Sequence, residues 1–239
     1  MYLASDSECS TPADVGRVAI FDLDGTLVDS IDGMMEAINR IFESRGITAL
    51  RREEASPLLG HGLETFARRA FQKRAVSPTT DDIKRFMWDY LADPLAGTRL
   101  YPGILEALTV LAQKGWRLAV CTNKAEAAAQ AILGGLDVLG YFDVVCGGDT
   151  VTSHKPAPQH IDETLRRGNL RGLPAVMIGD NAVDIAAANA YGIPGVFVAW
   201  GYGQTPDHQL VQYTVMRASG LPGLLDQLLP SERTRGAKL

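Results

Sequence analysis

Long hydrophobic runs are missing from this chain of 239 residues. None approaches the roughly 18 consecutive apolar residues that a membrane-spanning helix requires, so no membrane association is expected. Basic residues are not in excess either: 23 Lys and Arg face 28 Asp and Glu, a formal net charge of -5. A protein that coats nucleic-acid phosphates carries a basic surface, so no nucleic acid is expected among the partners. Cysteine is scarce. Cys9, Cys121 and Cys146 lie far apart with one left over, which excludes a disulfide framework and a CxxC metal knuckle and favours a reducing cytoplasm. Residues 1–15 carry acids where a signal peptide needs positive charge and hold no apolar stretch of the required length, so they read as a flexible tail. No fixed-period repeat, low-complexity tract or Ser-His-Asp or Cys-His arrangement is present.

What is present is an ordinary globular composition, 46% hydrophobic and 21% charged, enough for a sizeable core. Apolar runs rich in Val and Ile occur at residues 17–21, 116–122, 142–148, 175–180 and 195–200. Each has the length of a buried strand. Helical patterns separate the later ones, over 103–114, 124–134, 157–167 and 182–191, most of them closed by glycine, and a short terminal helix follows at 222–230. Alternating strands and helices predict an α/β fold, a Rossmann-like parallel sheet with helices on both faces. One segment breaks the alternation. From 29 to 97 the apolar residues keep helical spacing with no strand between them (Ile31, Met34, Ile38, Ile41; Leu63, Phe66, Ala70; Ile83, Phe86, Tyr90), which predicts an inserted all-α domain of three or four helices. The core would then comprise 16–28 and 98–239. The insertion would sit over the carboxyl ends of the strands, where open α/β sheets bind ligands.

Polar residues recur at those strand ends: Asp22 and Asp24, then Thr122 and Asn123, then Asp180 and Asp184, with Lys155 before a helix start. Each has a plainer alternative. DLDGT is also an acidic turn, Asp184 also a helix cap, and Lys155 also a solvated lysine. Taken together the acids would repel one another unless a cation neutralises them. Hard oxygen donors without clustered His or Cys select Mg²⁺, which commonly shares a phosphate. A carboxylate also forms aspartyl-phosphates, and a second acid can give a proton to a leaving alcohol and later take one from water.

DLDGTLVDS, CTNK, HKPAP and GDNAVD, in this order and spacing, resemble the four motifs of the haloacid dehalogenase superfamily of phosphatases. The resemblance covers nearly everything after residue 16, and the insertion resembles the superfamily's smaller α-helical cap. VAWGYG (198–203) with the TNK segment resembles the phosphoglycolate phosphatase branch. The resemblance implies Asp22 as nucleophile and Asp24 as general acid/base. It implies Thr122, Asn123 and Lys155 as phosphate-binding residues, with Gly25 beside them. Mg²⁺ would be held by Asp22, the backbone carbonyl of Asp24, and Asp180, with Asp184 in support. Two positions depart from the common pattern: Asn181 where many relatives carry Ser, and Ala125 where the branch often carries Pro.

The expected reaction is hydrolysis of a small phosphorylated metabolite, 2-phosphoglycolate first, by a monomer or homodimer. A sugar phosphate, pyridoxal phosphate or pyrophosphate, or a phosphosugar mutase reaction, stays open. A receiver-type signalling module shares the acids, Thr and Lys, but places its acceptor Asp on a later strand. His61, between Gly60 and Gly62, stands where this family places a substrate-facing loop and could contact the leaving group, although a polar residue in a glycine-rich loop is more often simply exposed. Arg68, Arg69 and Arg74 offer charge for a substrate carboxylate, or a solvated helix face. Ser30 is expected to cap a helix starting at Ile31, with Asp29 and Ser30 as one hinge and 95–101 as the other.

Overall fold

The computed structural model describes residues 16–59, 62–203 and 211–231. The expected tail at 1–15, Cys9 and His61 lie outside the described residues. Six strands form one parallel sheet: β1 (Arg17–Phe21), β4 (Trp116–Cys121), β5 (Val144–Cys146), β6 (Ala175–Gly179), β7 (Gly195–Val198) and β8 (Tyr213–Val215), in spatial order β5-β4-β1-β6-β7-β8. The chain runs outward from β1 to one edge, then returns to the other side of β1. The switch point therefore falls at β1, between β4 and β6.

The central strands β1, β4, β6 and β7 are apolar but for Arg17 and Arg117 near their starts, because both faces are covered. Ala19 and Phe21 of β1, Leu118 and Val120 of β4, and Val176 and Ile178 of β6 face one cluster. There they meet α5 (Ile104–Gln113), α6 (Glu126–Gly135) and α9 (Leu221–Leu228). The alternate residues Val18, Ile20, Ala119, Cys121 and Met177 face the second cluster, with Ile161 and Leu165 of α7 (Gln159–Arg167) and Ala187 and Ala188 of α8 (Ala182–Tyr191). Cys121 and Cys146 are small buried side chains in this packing.

The expected run at 195–200 ends as a strand at Val198, and 142–148 is strand only over Val144–Cys146. A two-stranded antiparallel pair, β2 (Val28–Asp29) with β3 (Arg99–Leu100), carries the chain out of the sheet region and back. Between them lie α1 (Ile31–Ser44), α2 (Arg52–Ala55), α3 (Leu63–Lys73) and α4 (Thr80–Ala92). These helices pack on a third cluster of their own, which includes Ile38, Phe42, Phe66, Phe71 and Phe86. Phe42 and Phe71 meet edge-on with centroids 4.9 Å apart. A reciprocal cap starts α4, where Thr79 Oγ1 accepts from the Asp82 N–H at 3.1 Å and Asp82 Oδ2 accepts from the Thr79 N–H at 2.7 Å. Among the described residues no helix is long and apolar enough to cross a membrane.

Candidate active site

Three adjacent strands deliver the site. Asp22 directly follows β1, Thr122 and Asn123 follow β4, and Asp180 follows β6. The ladder continues one residue past the strands: the Asp22 N–H donates to Ile178 O at 2.9 Å and the Thr122 N–H to Cys146 O at 3.1 Å. Sheet geometry thus places side chains that are 158 positions apart in sequence at one edge, since Asp22 and Asp180 (180 − 22 = 158) both leave neighbouring strands at the same level.

Lys155 is buried among the acids. Its Nζ lies 2.9 Å from Asp22 Oδ1 and 2.6 Å from Asp184 Oδ1, and donates to Cys121 O at 2.6 Å. Burial alone would pull the ammonium's pKa down, but the charges of Asp184 and Asp22 outweigh it and hold the lysine protonated beyond its usual range. His160, in the first turn of α7, accepts the Lys155 N–H at Nδ1 over 3.4 Å. Burial, then the neighbouring Lys155 charge, pushes His160 down to about 4, so it is neutral near pH 7.

Asp184 serves two ends. It is the third residue of α8, where its Oδ2 accepts from the Asn181 N–H at 3.0 Å while Asn181 Oδ1 accepts from the Val183 N–H at 3.3 Å. The helix-cap alternative therefore describes Asp184 correctly and leaves its other oxygen for Lys155. Asp180 is held by backbone amides, with Oδ2 accepting from Tyr202 N–H at 2.8 Å and Gly203 N–H at 2.9 Å, and Oδ1 accepting from Thr26 Oγ1 at 3.2 Å. Gly25, at φ 87°, lets the loop run against Asp180, because a Cβ there would overlap the Asp180 carboxylate. Its own N–H is committed to Val28 O at 2.9 Å. A Cβ on Gly203 would overlap the Asp180 carbonyl in the same way.

Asp22, Asp180 and Asp184 bring ligand oxygens within 4.8 Å of one another. One ammonium stands against three carboxylates. Burial first, then Asp22 and Asp184, pushes Asp180 up to about 8, the signature of a site short of positive charge. A hard divalent cation with oxygen preference fits this donor set.

The Asp24 carboxylate lies outside that cluster. Lys124 Nζ donates to both of its oxygens at 3.0 Å and to Tyr90 Oη at 2.7 Å, and Ser30 Oγ donates to Asp24 Oδ1 at 2.5 Å. Ser30 was expected to cap α1 with its hydroxyl; instead that hydroxyl is turned to Asp24. The Ser30 and Ile31 N–H groups donate to Tyr202 Oη at 2.6 and 3.2 Å, and Tyr202 Oη donates to Asp29 Oδ1 at 2.8 Å. Sequence reasoning marked the segment that holds Tyr202 without giving that side chain a role, and it did not single out Lys124 or Tyr90. The signal for Lys124 was its place directly after Asn123 at a strand end; Tyr90 gave none beyond its place in an apolar helical stripe.

Thr122 Oγ1 accepts the Lys124 N–H at 3.2 Å, and Asn123 Nδ2 donates to Lys155 O at 3.0 Å, leaving Asn123 Oδ1 buried without a partner. Asp22, Asp24, Thr122, Asn123, Lys155 and Asp180 all line one cavity. Arg68, Arg69 and Arg74 are not among the described residues that line it. Arg68 pairs with Glu64 at 2.7 Å, Arg74 pairs with Glu54 at 2.8 Å, and Arg69 lines a separate hollow beside Pro57 and Gln72.

The haloacid dehalogenase-like hydrolase family model matches residues 19–198. A phosphoglycolate phosphatase of Rhodospirillum rubrum is 36% identical over 198 residues, covering 80% of this chain and 82% of its own. One from Agrobacterium fabrum is 34% identical over 225 residues, covering 92% and 97%. The crystal structure of a Haemophilus somnus protein, described as a predicted phosphoglycolate phosphatase, superposes with a TM-score of 0.79 at 25% identity, covering 88% of this chain and 98% of that one. The chain belongs to the haloacid dehalogenase-like hydrolase family, and it is an enzyme of that hydrolase class.

Proposed function

We propose that the protein is a Mg²⁺-dependent phosphoric monoester hydrolase that works through an aspartyl-phosphate on Asp22. The observation that carries this reading is the convergence of Asp22, Asp180 and Asp184 around Lys155 at the ends of β1 and β6 and the start of α8. Asp22, Asp180 and the Asp24 carbonyl would hold the metal, with Asp184 in support. Bound there, Mg²⁺ supplies positive charge to the phosphoryl oxygens and to Asp22.

The remaining steps belong to the chain. An Asp22 carboxylate oxygen attacks phosphorus, forming the acyl phosphate as the ester P–O bond breaks. Lys155 offsets charge on the transferring group, and the Thr122 hydroxyl and Asn123 amide orient it. Asp24, entering the step protonated, gives its proton to the leaving alcohol and then takes one from the water that attacks the acyl phosphate, so Asp22 ends as the carboxylate and Asp24 as the acid with which the cycle began. Residues 29–97 act as a cap over a core of 16–28 and 98–239, excluding water during transfer. The relatives' names put 2-phosphoglycolate, hydrolysed to glycolate and phosphate, first among small cytoplasmic metabolites to assay.

Asp22→Asn tests the mechanism. Phosphate release in the presence of Mg²⁺ is expected to fall at least about 10³-fold, as losses of a nucleophile do. Full retained activity would overturn the reading. Stoichiometric phosphorylation of the wild-type protein without turnover would favour a signalling module instead.

A further inference from the structure

The sheet ladder fixes Asp22 and Thr122 but not Lys155. Residues 151–158, leading into α7, form neither helix nor strand, so no repeating hydrogen bonds set the Lys155 backbone. A four-carbon side chain on a loose backbone reaches many positions, yet Nζ here meets Asp22, Asp184 and the Cys121 carbonyl together. Groups outside the ladder must hold the peptide.

Two side chains do so. Asn123 Nδ2 donates to Lys155 O at 3.0 Å, and His160 Nδ1 accepts the Lys155 N–H at 3.4 Å. His160 is fully buried in the first turn of α7, where its carbonyl accepts from Thr164 Oγ1 at 2.8 Å. Because Nδ1 accepts, the proton of the neutral ring sits on Nε2, which donates to Cys146 O at 3.3 Å. That same carbonyl takes the Thr122 N–H at 3.1 Å. The imidazole therefore spans from the Lys155 peptide to the strand end that also carries Thr122. Burial, then the Lys155 charge, keeps the ring neutral and so preserves the acceptor.

We infer that His160 is a positioning residue for phosphoryl transfer: it fixes the Lys155 peptide against the Cys146 carbonyl and so aims the Lys155 ammonium at the transferring group. The inference rests on the phosphatase reading above, in which Lys155 offsets charge that grows as the phosphoryl group moves. Loss of aim then lowers kcat more than it raises KM.

Three variants separate the two ends of the ring. His160→Asn puts an amide oxygen near the place of Nδ1 and keeps an acceptor for the Lys155 N–H. His160→Gln puts an amide nitrogen near the place of Nε2 and keeps a donor for Cys146 O. His160→Leu keeps neither. Phosphate release from 2-phosphoglycolate and from p-nitrophenyl phosphate is measured with Mg²⁺ for each, beside melting curves. In the Gln and Leu variants kcat is expected to fall about tenfold or more, with KM changed less, whereas the Asn variant stays within a few-fold of wild type. A role confined to packing predicts another order, because Asn is the smallest of the three and leaves the largest void. If the Leu variant does not melt cooperatively, the order of Asn and Gln decides. Wild-type kcat in all variants, kcat in His160→Asn at or below that of the others, or failure of the Asn variant to fold, overturns the inference and leaves the phosphatase reading standing. Hydrolysis of neither ester by wild-type protein that melts cooperatively overturns the phosphatase reading and the inference with it.

Discussion

A buried lysine stays buried only while its counter-charges stay with it, and the two buried lysines of this site differ in how wet those counter-charges are. Lys155 is 1% exposed at its side chain and its partner Asp184 is 0% exposed. Lys124 is 3% exposed, but Asp24 keeps 23% of its surface. Removing the cation leaves a dry carboxylate in the first case and a partly hydrated one in the second. Lys155→Met is expected to cost ~3–5 kcal/mol, the usual cost of breaking a buried pair by deleting one partner, with part recovered in millimolar Mg²⁺. Lys124→Met is expected to cost about 1.5–3 kcal/mol, the worth of a hydrogen bond to a charged group, and to lower kcat about tenfold or more, because Asp24 loses the ammonium that grips both its oxygens. Urea titration alongside steady-state kinetics separates the two, and equal stability losses would refute the distinction. Position alone announced Lys155, a lysine before a proline-led helix start. Lys124 was given no role of its own, because its contact with Tyr90 comes from 34 residues earlier on α4, which no local pattern encodes.

Elements buried on both faces were the ones the sequence expressed most clearly. β6 and β7 are apolar from end to end, and β1 and β4 apart from Arg17 and Arg117, because each packs on two layers, and α1, α3 and α4 keep one apolar stripe because they share one small core. β8 was not foreseen: Tyr213–Val215 is three residues long at a sheet edge and only Val215 is buried. β2 and β3 were not foreseen as strands either, since two-residue strands carry no periodicity, although both fall on the segments expected to act as hinges. In the segment after β7, the sequence marked a motif but not what its tyrosine does. The Tyr202 N–H reaches Asp180, while its hydroxyl bonds Asp29 at the end of β2 and the first amides of α1. One residue thus joins the acid cluster to the start of the helical layer. Tyr202→Phe leaves the buried Ser30 N–H without its acceptor, at ~1–3 kcal/mol. Faster hydrogen exchange at Ser30 and Ile31 is expected, with α5 through α8 unaffected. Unchanged exchange at those two amides would show that the hydroxyl does not anchor α1.

Across the whole molecule, the acids that hold the site together also make its stability depend on pH, and the sign of that dependence identifies a metal ligand. Without a metal, folded Asp180 keeps its proton up to about pH 8, whereas an unfolded Asp keeps it only to its ordinary 3.8. The native state then binds more protons throughout that window, and stability falls as pH rises from about 4 to about 8. His160 acts in the opposite direction. Its folded pKa of about 4 lies below the ordinary 6.5, so the unfolded chain binds the extra proton and stability rises with pH between those values. A comparison at one pH between Mg²⁺ and EDTA cancels His160, which touches none of the three clustered carboxylates, and leaves Asp180 together with Asp184, which burial pushes up to about 6; the Asp180 variant separates the two. Mg²⁺ must displace the Asp180 proton to bind, so its stabilisation at fixed concentration should grow with pH. The gap in melting temperature between Mg²⁺ and EDTA is expected to be small at pH 5 and several degrees wider at pH 8, and Asp180→Asn should flatten it. A gap of the same size at both pH values, with Asp180 intact, would mean that the metal binds without competing for this proton and that Asp180 is not among its ligands.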